Sequence, residues 1–125
     1  MGWSTNPDGC RNLLVWLSNR YPGIPIFMTE NGTSEDEPDL ATALNDEGRR
    51  NYFEGYMRAC SEAIELGVPL KGYFAWSLMD NFEWAEGYKM RFGIVYVDYE
   101  SQKRTLKQSA IKFQEFLNAR KEGFL

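Results

Sequence analysis

Two stretches of this 125-residue chain gather side chains able to do chemistry. In the first, Thr29-Glu30-Asn31-Gly32, a carboxylate stands just before an Asn-Gly turn. In the second, Trp76 is followed by Asp80, Asn81, Phe82, Glu83 and Trp84, and an aromatic run continues from Tyr88 to Asp98. Nine aromatic residues fall between Tyr73 and Tyr99, a density that 15% aromatic content overall does not explain. Histidine is absent. That removes Ser-His-Asp and Cys-His catalysis, histidine-ligated metals and histidine pH switching from within the chain. Any acid–base work falls to carboxylates. A sugar offers hydroxyls to carboxylates and a C–H face to aromatic rings, so an acid–aromatic site without a basic cluster suits a neutral carbohydrate.

Composition narrows the alternatives. The net charge is −4, from 14 basic and 18 acidic residues, with no dense basic run. A nucleic-acid partner, which rewards Lys and Arg facing phosphates, is not expected. No stretch approaches ~18 consecutive apolar residues, so no membrane association is expected. The start, MGWSTNPDGC, lacks the charged and apolar regions of a signal peptide, which favours a cytoplasmic location. Cys10 and Cys60 form neither a CxxC nor a metal spacing and read as buried reduced thiols. No metal or cofactor is called for.

The elements that must position these residues can be read in outline. Asn6-Pro7 caps and opens a helix with an apolar stripe of Leu13, Trp16 and Leu17, and Pro22-Gly23 ends it. Ile24 to Thr29 predicts a short strand, with Pro25 confining its ladder to later residues. The stretch from Glu35 to Leu44 reads as an acidic, solvated loop. A helix starts at Asn45 or Asp46, carries Phe53, Met57, Cys60 and Ile64 on its buried face, and stops at Gly67 and Pro69. Lys71 to Trp76 predicts the second strand and Ile94 to Asp98 one half of a hairpin. The last helix is expected from Leu106 to Ala119, capped by Thr105, with Ala110, Phe113, Phe116 and Leu117 on one face. Strands alternating with helices imply an α/β fold with parallel strands. Two such strands cannot cover their own faces and edges, so the chain reads as part of a larger sheet. In both units the unusual polar residues sit just past the strand, where a (β/α)8 barrel places its active site.

Met28-Thr29-Glu30-Asn31-Gly32, then Trp76-Ser77-Leu78-Met79-Asp80-Asn81-Phe82-Glu83-Trp84, then Gly87-Tyr88 and Arg91-Phe92-Gly93-Ile94-Val95-Tyr96-Val97-Asp98, resemble family 1 glycoside hydrolases, the β-glucosidase group. The tail from Lys103 to Ala110 is similar too, except that Leu106 stands where many members have Pro at a helix start. The resemblance covers essentially the whole chain. It implies the C-terminal part of a (β/α)8 barrel: about two βα units plus a preceding helix. Residues 1–125 would then be a portion of one barrel domain, since a whole barrel takes ~250 residues or more. It also implies a cis peptide between Trp76 and Ser77.

By the same resemblance, the implied activity is retaining hydrolysis of β-glycosides, with Glu30 as nucleophile. Trp76 would pack against the sugar at the cleavage point. Glu83 would accept hydrogen bonds from the outer hydroxyls of the glycone, the sugar ring that is cleaved off. Trp84 would donate from its indole N–H, and Phe92 would close the glycone pocket. Asp80 and Asn81 read as loop-ordering residues rather than catalytic ones. The second carboxyl of the retaining mechanism, ~5–5.5 Å from the nucleophile, lies in the family's Asn-Glu-Pro motif. This chain has no such motif, and Asp36-Glu37-Pro38, in the acidic loop, is not its counterpart. The expected partners are a β-glycoside and the remainder of the barrel. Members that cleave 6-phosphorylated glycosides carry Ser, Lys and Tyr at the positions of Glu83, Met90 and Phe92. An unphosphorylated sugar is therefore expected, because Glu83 would repel a phosphate. The acid/base position also separates O- from S-glycosides, so that choice stays open. The alternative is a catalytically inactive fragment or a carbohydrate-binding remnant.

Overall fold

The computed structural model describes residues 2–121. Helix α1 (Pro7–Arg20) opens as its sequence dictates: the Asn6 side chain accepts from the Gly9 N–H, and Pro7 stands in the first turn. Strand β1 (Ile26–Asn31) follows, then a short helix α2 (Leu40–Leu44) and a long one, α3 (Glu47–Glu65). Strand β2 (Leu70–Ala75) lies parallel beside β1, with Ile26 opposite Leu70 and Asn31 opposite Ala75. A long loop with one 3-10 turn (Trp84–Glu86) leads to an antiparallel hairpin of β3 (Val95–Val97) and β4 (Arg104–Leu106), and α4 (Gln108–Lys121) closes the described chain.

The strands start and end later or earlier than the sequence suggests, for identifiable reasons. The β1 ladder begins at Ile26, whose N–H donates to the Pro69 carbonyl, and Ile24 stays outside the sheet. It runs on through Glu30 because Asn31 still pairs with β2. Leu106, where the sequence predicts a helix start, is instead a strand residue facing Val95, and α4 begins two residues later. The acidic loop contains α2, capped by the Asp39 carboxylate on the Thr42 N–H. Its acidic side chains are not all solvated. The Glu37 side chain is 1% exposed, held by Arg49 and Lys107.

Two apolar clusters form the core. Leu14, Cys60, Ala63 and Val68 join α1 to α3, with Cys10 and Met28 packed against them. Phe53, Met57, Ile94 and Ala110 join α3 to α4 and the hairpin. Tyr73 of β2 touches both clusters. Cys10 and Cys60 are free thiols, the first half-buried and the second buried. The stripe expected on α1 does not face this core: Leu13 and Trp16 are each 57% exposed, and Leu14 is the buried residue. On α4, Leu117 is likewise exposed. Phe27 and Phe74 leave one face of the strand pair uncovered as well. Parallel strands are ordinarily covered on both faces.

Candidate active site

The site is built where the two parallel strands end. The Trp76 N–H donates to the Asn31 carbonyl at 2.7 Å, drawing the ends together. A Cβ on residue 32 would lie 1.6 Å from the Trp76 carbonyl oxygen, so only glycine permits this approach. The two strand ends are thereby held together, and the Trp76–Ser77 peptide is cis.

The loop after β2 returns Phe92 to the same place. The Ser77 N–H donates to the Phe92 carbonyl at 3.0 Å, and the Ile94 N–H to the Ser77 carbonyl at 2.9 Å. Phe92 is 1% exposed, with its ring centroid 6.0 Å from that of Trp3. Glu83 is oriented from both ends. Its N–H donates to the Gly87 carbonyl at 2.7 Å, and its carboxylate accepts from Asn81 at 3.5 Å. Asn81 in turn accepts from the Ser77 hydroxyl at 2.9 Å. Trp84, at positive φ, is 83% exposed.

These segments enclose a cavity of about 420 Å³. All five residues singled out from the sequence line it: Glu30, Trp76, Glu83, Trp84 and Phe92. Asn31, Gly32, Tyr52 and Trp3 complete the lining, and no lysine or arginine is among the described lining residues. Glu30 itself is exposed and forms no ion pair with another described residue. A larger hollow of about 640 Å³, beneath Phe82, Tyr88 and Tyr99, contains none of the five.

Trp3 and Tyr52 were not expected at the site. Trp3 stands in an unstructured approach to α1, where no periodicity marks it. Tyr52 did leave a signal, because Tyr52 and Tyr56 are four residues apart and stack at 4.3 Å. They define a second face of α3 beside the Phe53 stripe. The Tyr73 hydroxyl donates to the Asn31 side-chain oxygen at 2.5 Å. Burial pushes the Tyr73 phenol well above its ordinary range. Burial raises Tyr52 too, and the nearby Tyr56 hydroxyl adds to the rise. Both phenols are neutral in any physiological buffer. Farther back, burial raises the Glu35 carboxyl against the opposing pull of the Arg49 charge. Among the described residues no group of three or more cysteine or carboxylate side chains is placed to hold a metal ion.

The family model for glycosyl hydrolase family 1 matches residues 1–122. A bifunctional β-D-glucosidase/β-D-fucosidase of Bifidobacterium breve is 46% identical over 94% of this chain, which corresponds to 26% of that protein. β-Glucosidase 42 of Arabidopsis thaliana is 48% identical over 94% of the chain and 25% of its own length. Among solved structures, β-glucosidase 2 of Trichoderma reesei, in complex with Tris, superposes with a TM-score of 0.88 at 51% identity, covering 94% of this chain and 26% of that one. A β-glucosidase of Humicola insolens in complex with glucose gives 0.89 at 46% identity, with the same coverage. The chain thus spans about a quarter of the length of the relatives it matches.

Proposed function

The chain belongs to glycosyl hydrolase family 1 and is a fragment of its barrel fold, and from that membership we propose that it supplies the nucleophile and part of the glycone pocket for retaining hydrolysis of unphosphorylated β-glycosides. The single observation that carries this reading is the convergence of Glu30, Trp76, Glu83, Trp84 and Phe92 on one cavity free of described cationic residues. In the reading, residues 1–125 are the C-terminal portion of one barrel: two βα units behind a helix.

The chemistry follows from Glu30 standing exposed with no ion-pair partner among the described residues. Its carboxylate attacks the anomeric carbon as the glycosidic C–O bond breaks, and the leaving oxygen takes a proton from a carboxylic acid outside this chain. Water then attacks the same carbon, gives its proton to that second group and releases Glu30. Trp76 offers an apolar face to the sugar ring, and Phe92, almost fully buried, closes the pocket behind it. Glu83, already ordered by Asn81, accepts from the sugar hydroxyls, and the exposed Trp84 indole N–H donates to another. A phosphorylated sugar is disfavoured because the cavity offers it carboxylates and no described cation.

In this reading Glu83 is committed to the sugar hydroxyls and the sequence has no Asn-Glu-Pro acid/base motif, so alone the chain is a poor catalyst. The uncovered Leu13, Trp16, Phe27 and Phe74 favour work within a larger assembly. The experiment is an assay of aryl β-glucoside hydrolysis by the chain alone and after mixing with the missing part of a family 1 barrel. Little turnover alone, and turnover with the partner that Glu30→Gln abolishes, is the expected pair of results. Turnover by the mixture that survives Glu30→Gln overturns the assignment of the nucleophile.

A further inference from the structure

Behind the cavity runs an unbroken row of six charges of alternating sign. Asp46 pairs with Arg49 at 2.7 Å and Arg49 with Glu37 at 2.6 Å. Glu37 pairs with Lys107 at 2.6 Å, Lys107 with Asp80 at 3.0 Å, and Asp80 with Arg91 at 2.5 Å. Three carboxylates meet three cations, and five of the six side chains are at most 1% exposed. The row ties together the acidic loop, the start of α3, the residue before α4 and the aromatic loop. None of its members lines the candidate cavity.

Its end at Asp80 grips the cavity wall. One Asp80 oxygen accepts the Gly93 N–H at 3.0 Å, and the other accepts the Arg91 guanidinium and, at 3.2 Å, the Val97 N–H. The Arg91 carbonyl accepts from Arg49 at 2.8 Å. Phe92 therefore stands between two residues anchored to the same carboxylate. A Cβ at residue 93 would lie 2.1 Å from the Asp80 nitrogen, so this segment is pressed against the start of its own loop. Phe92 in turn fixes Ser77, and with it Trp76, through its carbonyl.

We propose that Asp80 is a positioning residue for the sugar-facing wall: braced by the buried charge row, it sets where Phe92 and Trp76 stand without touching the cavity. The inference deepens the glycosidase reading and rests on it only for the word sugar. A buried carboxylate serving general cohesion would affect every part of the fold alike. One serving position affects the wall it holds.

The test is residue-resolved amide hydrogen exchange on the full 125-residue chain carrying Asp80→Asn, joined to a glucose titration followed by tryptophan fluorescence. Exchange at Ser77, Gly93 and Ile94 is expected to rise by roughly tenfold or more, while the amides of Leu14, Cys60 and Ala63 stay within about a factor of two. Glucose affinity is expected to fall in step with the wall. Should Asp80→Asn not fold, Arg91→Met, at the partly exposed end of the row, repeats the measurement. A uniform rise across the chain, or none at the wall, overturns the proposal. If the unsubstituted chain binds no glucose, the sugar reading fails, and the exchange pattern still decides whether Asp80 positions the wall.

Discussion

Glu30 and Glu37 are seven positions apart and have opposite fates. Glu30 opens into the cavity, exposed and without an ion-pair partner among the described residues. Glu37 is sealed between Arg49 and Lys107. The same division separates the two regions they represent. The cavity is open, carries carboxylates without described cations, and shows an indole to water. The charge row behind it is buried except at Arg91, balanced and hydrogen-bonded throughout. A carboxylate with both oxygens held by cations of its own protein is architecture. One left open at the end of a strand is available to a ligand.

The largest effect that tests this division is expected at Lys107. Lys107→Met leaves Glu37 and Asp80 facing each other without the cation between them. Breaking a buried pair by removing one partner costs about 3–5 kcal/mol, read as a fall in the denaturant midpoint. A loss below about 1 kcal/mol, the range of exposed ion pairs, would mean that the row is wetter than its burial indicates.

Next in size is Gly32→Ala. The new methyl has nowhere to go, because its position lies 1.6 Å from the Trp76 carbonyl oxygen. Forcing the two strand ends apart is expected to cost about 1–3 kcal/mol. It also separates Glu30 from Trp76, so activity of the assembled barrel is expected to fall further than stability does. Equal loss in both would say that the junction holds the fold and not the site.

A smaller effect appears in alkali. The Tyr73 and Tyr52 phenols are raised by burial in the folded state. Their contribution to stability is therefore complete below about pH 10, the ordinary phenol value, and is lost as the pH climbs above it. The slope is at most about 1.4 kcal/mol per pH unit from Tyr73, and less from the half-exposed Tyr52. Thermal melts from neutral pH to about one unit above the ordinary phenol value, with and without Tyr73→Phe, measure it. A slope unchanged by the substitution would remove Tyr73 from the account.

The contrast between the regions also explains what could be read from the chain unaided. Helix α1, the Phe53–Met57–Cys60 face and both parallel strands follow from periodicity and stop signals, all local. The five cavity residues follow from motif order. Glu37 did not, because its partner Lys107 lies 70 positions away and no periodicity announces a contact at that range. An acidic run with a Pro in it reads as solvated whether or not one member turns inward. Strand β4 was missed for a related reason: Arg104-Thr105-Leu106 resembles a capped helix start until Val95 pairs with it. The exposed stripe of α1 is the reverse case. Leu13 and Trp16 are apolar at helical spacing, but what they face is not α3.

The smallest expected effect on stability comes from the residue expected to matter most for chemistry. Glu30→Gln replaces an exposed carboxylate by an amide of nearly the same shape, with no ion pair to break among the described residues. Surface substitutions of this kind stay within about 0.5 kcal/mol. Yet an amide cannot form the ester-like bond to an anomeric carbon that the mechanism requires. The expected outcome is a chain that melts with the unsubstituted one and leaves a reassembled barrel inert. A loss of several kcal/mol would give Glu30 an internal partner and move it into the same class as Glu37. Its silence in the melt is thus as much a part of the case as its silence in the assay, because architecture and chemistry divide here between two glutamates seven positions apart.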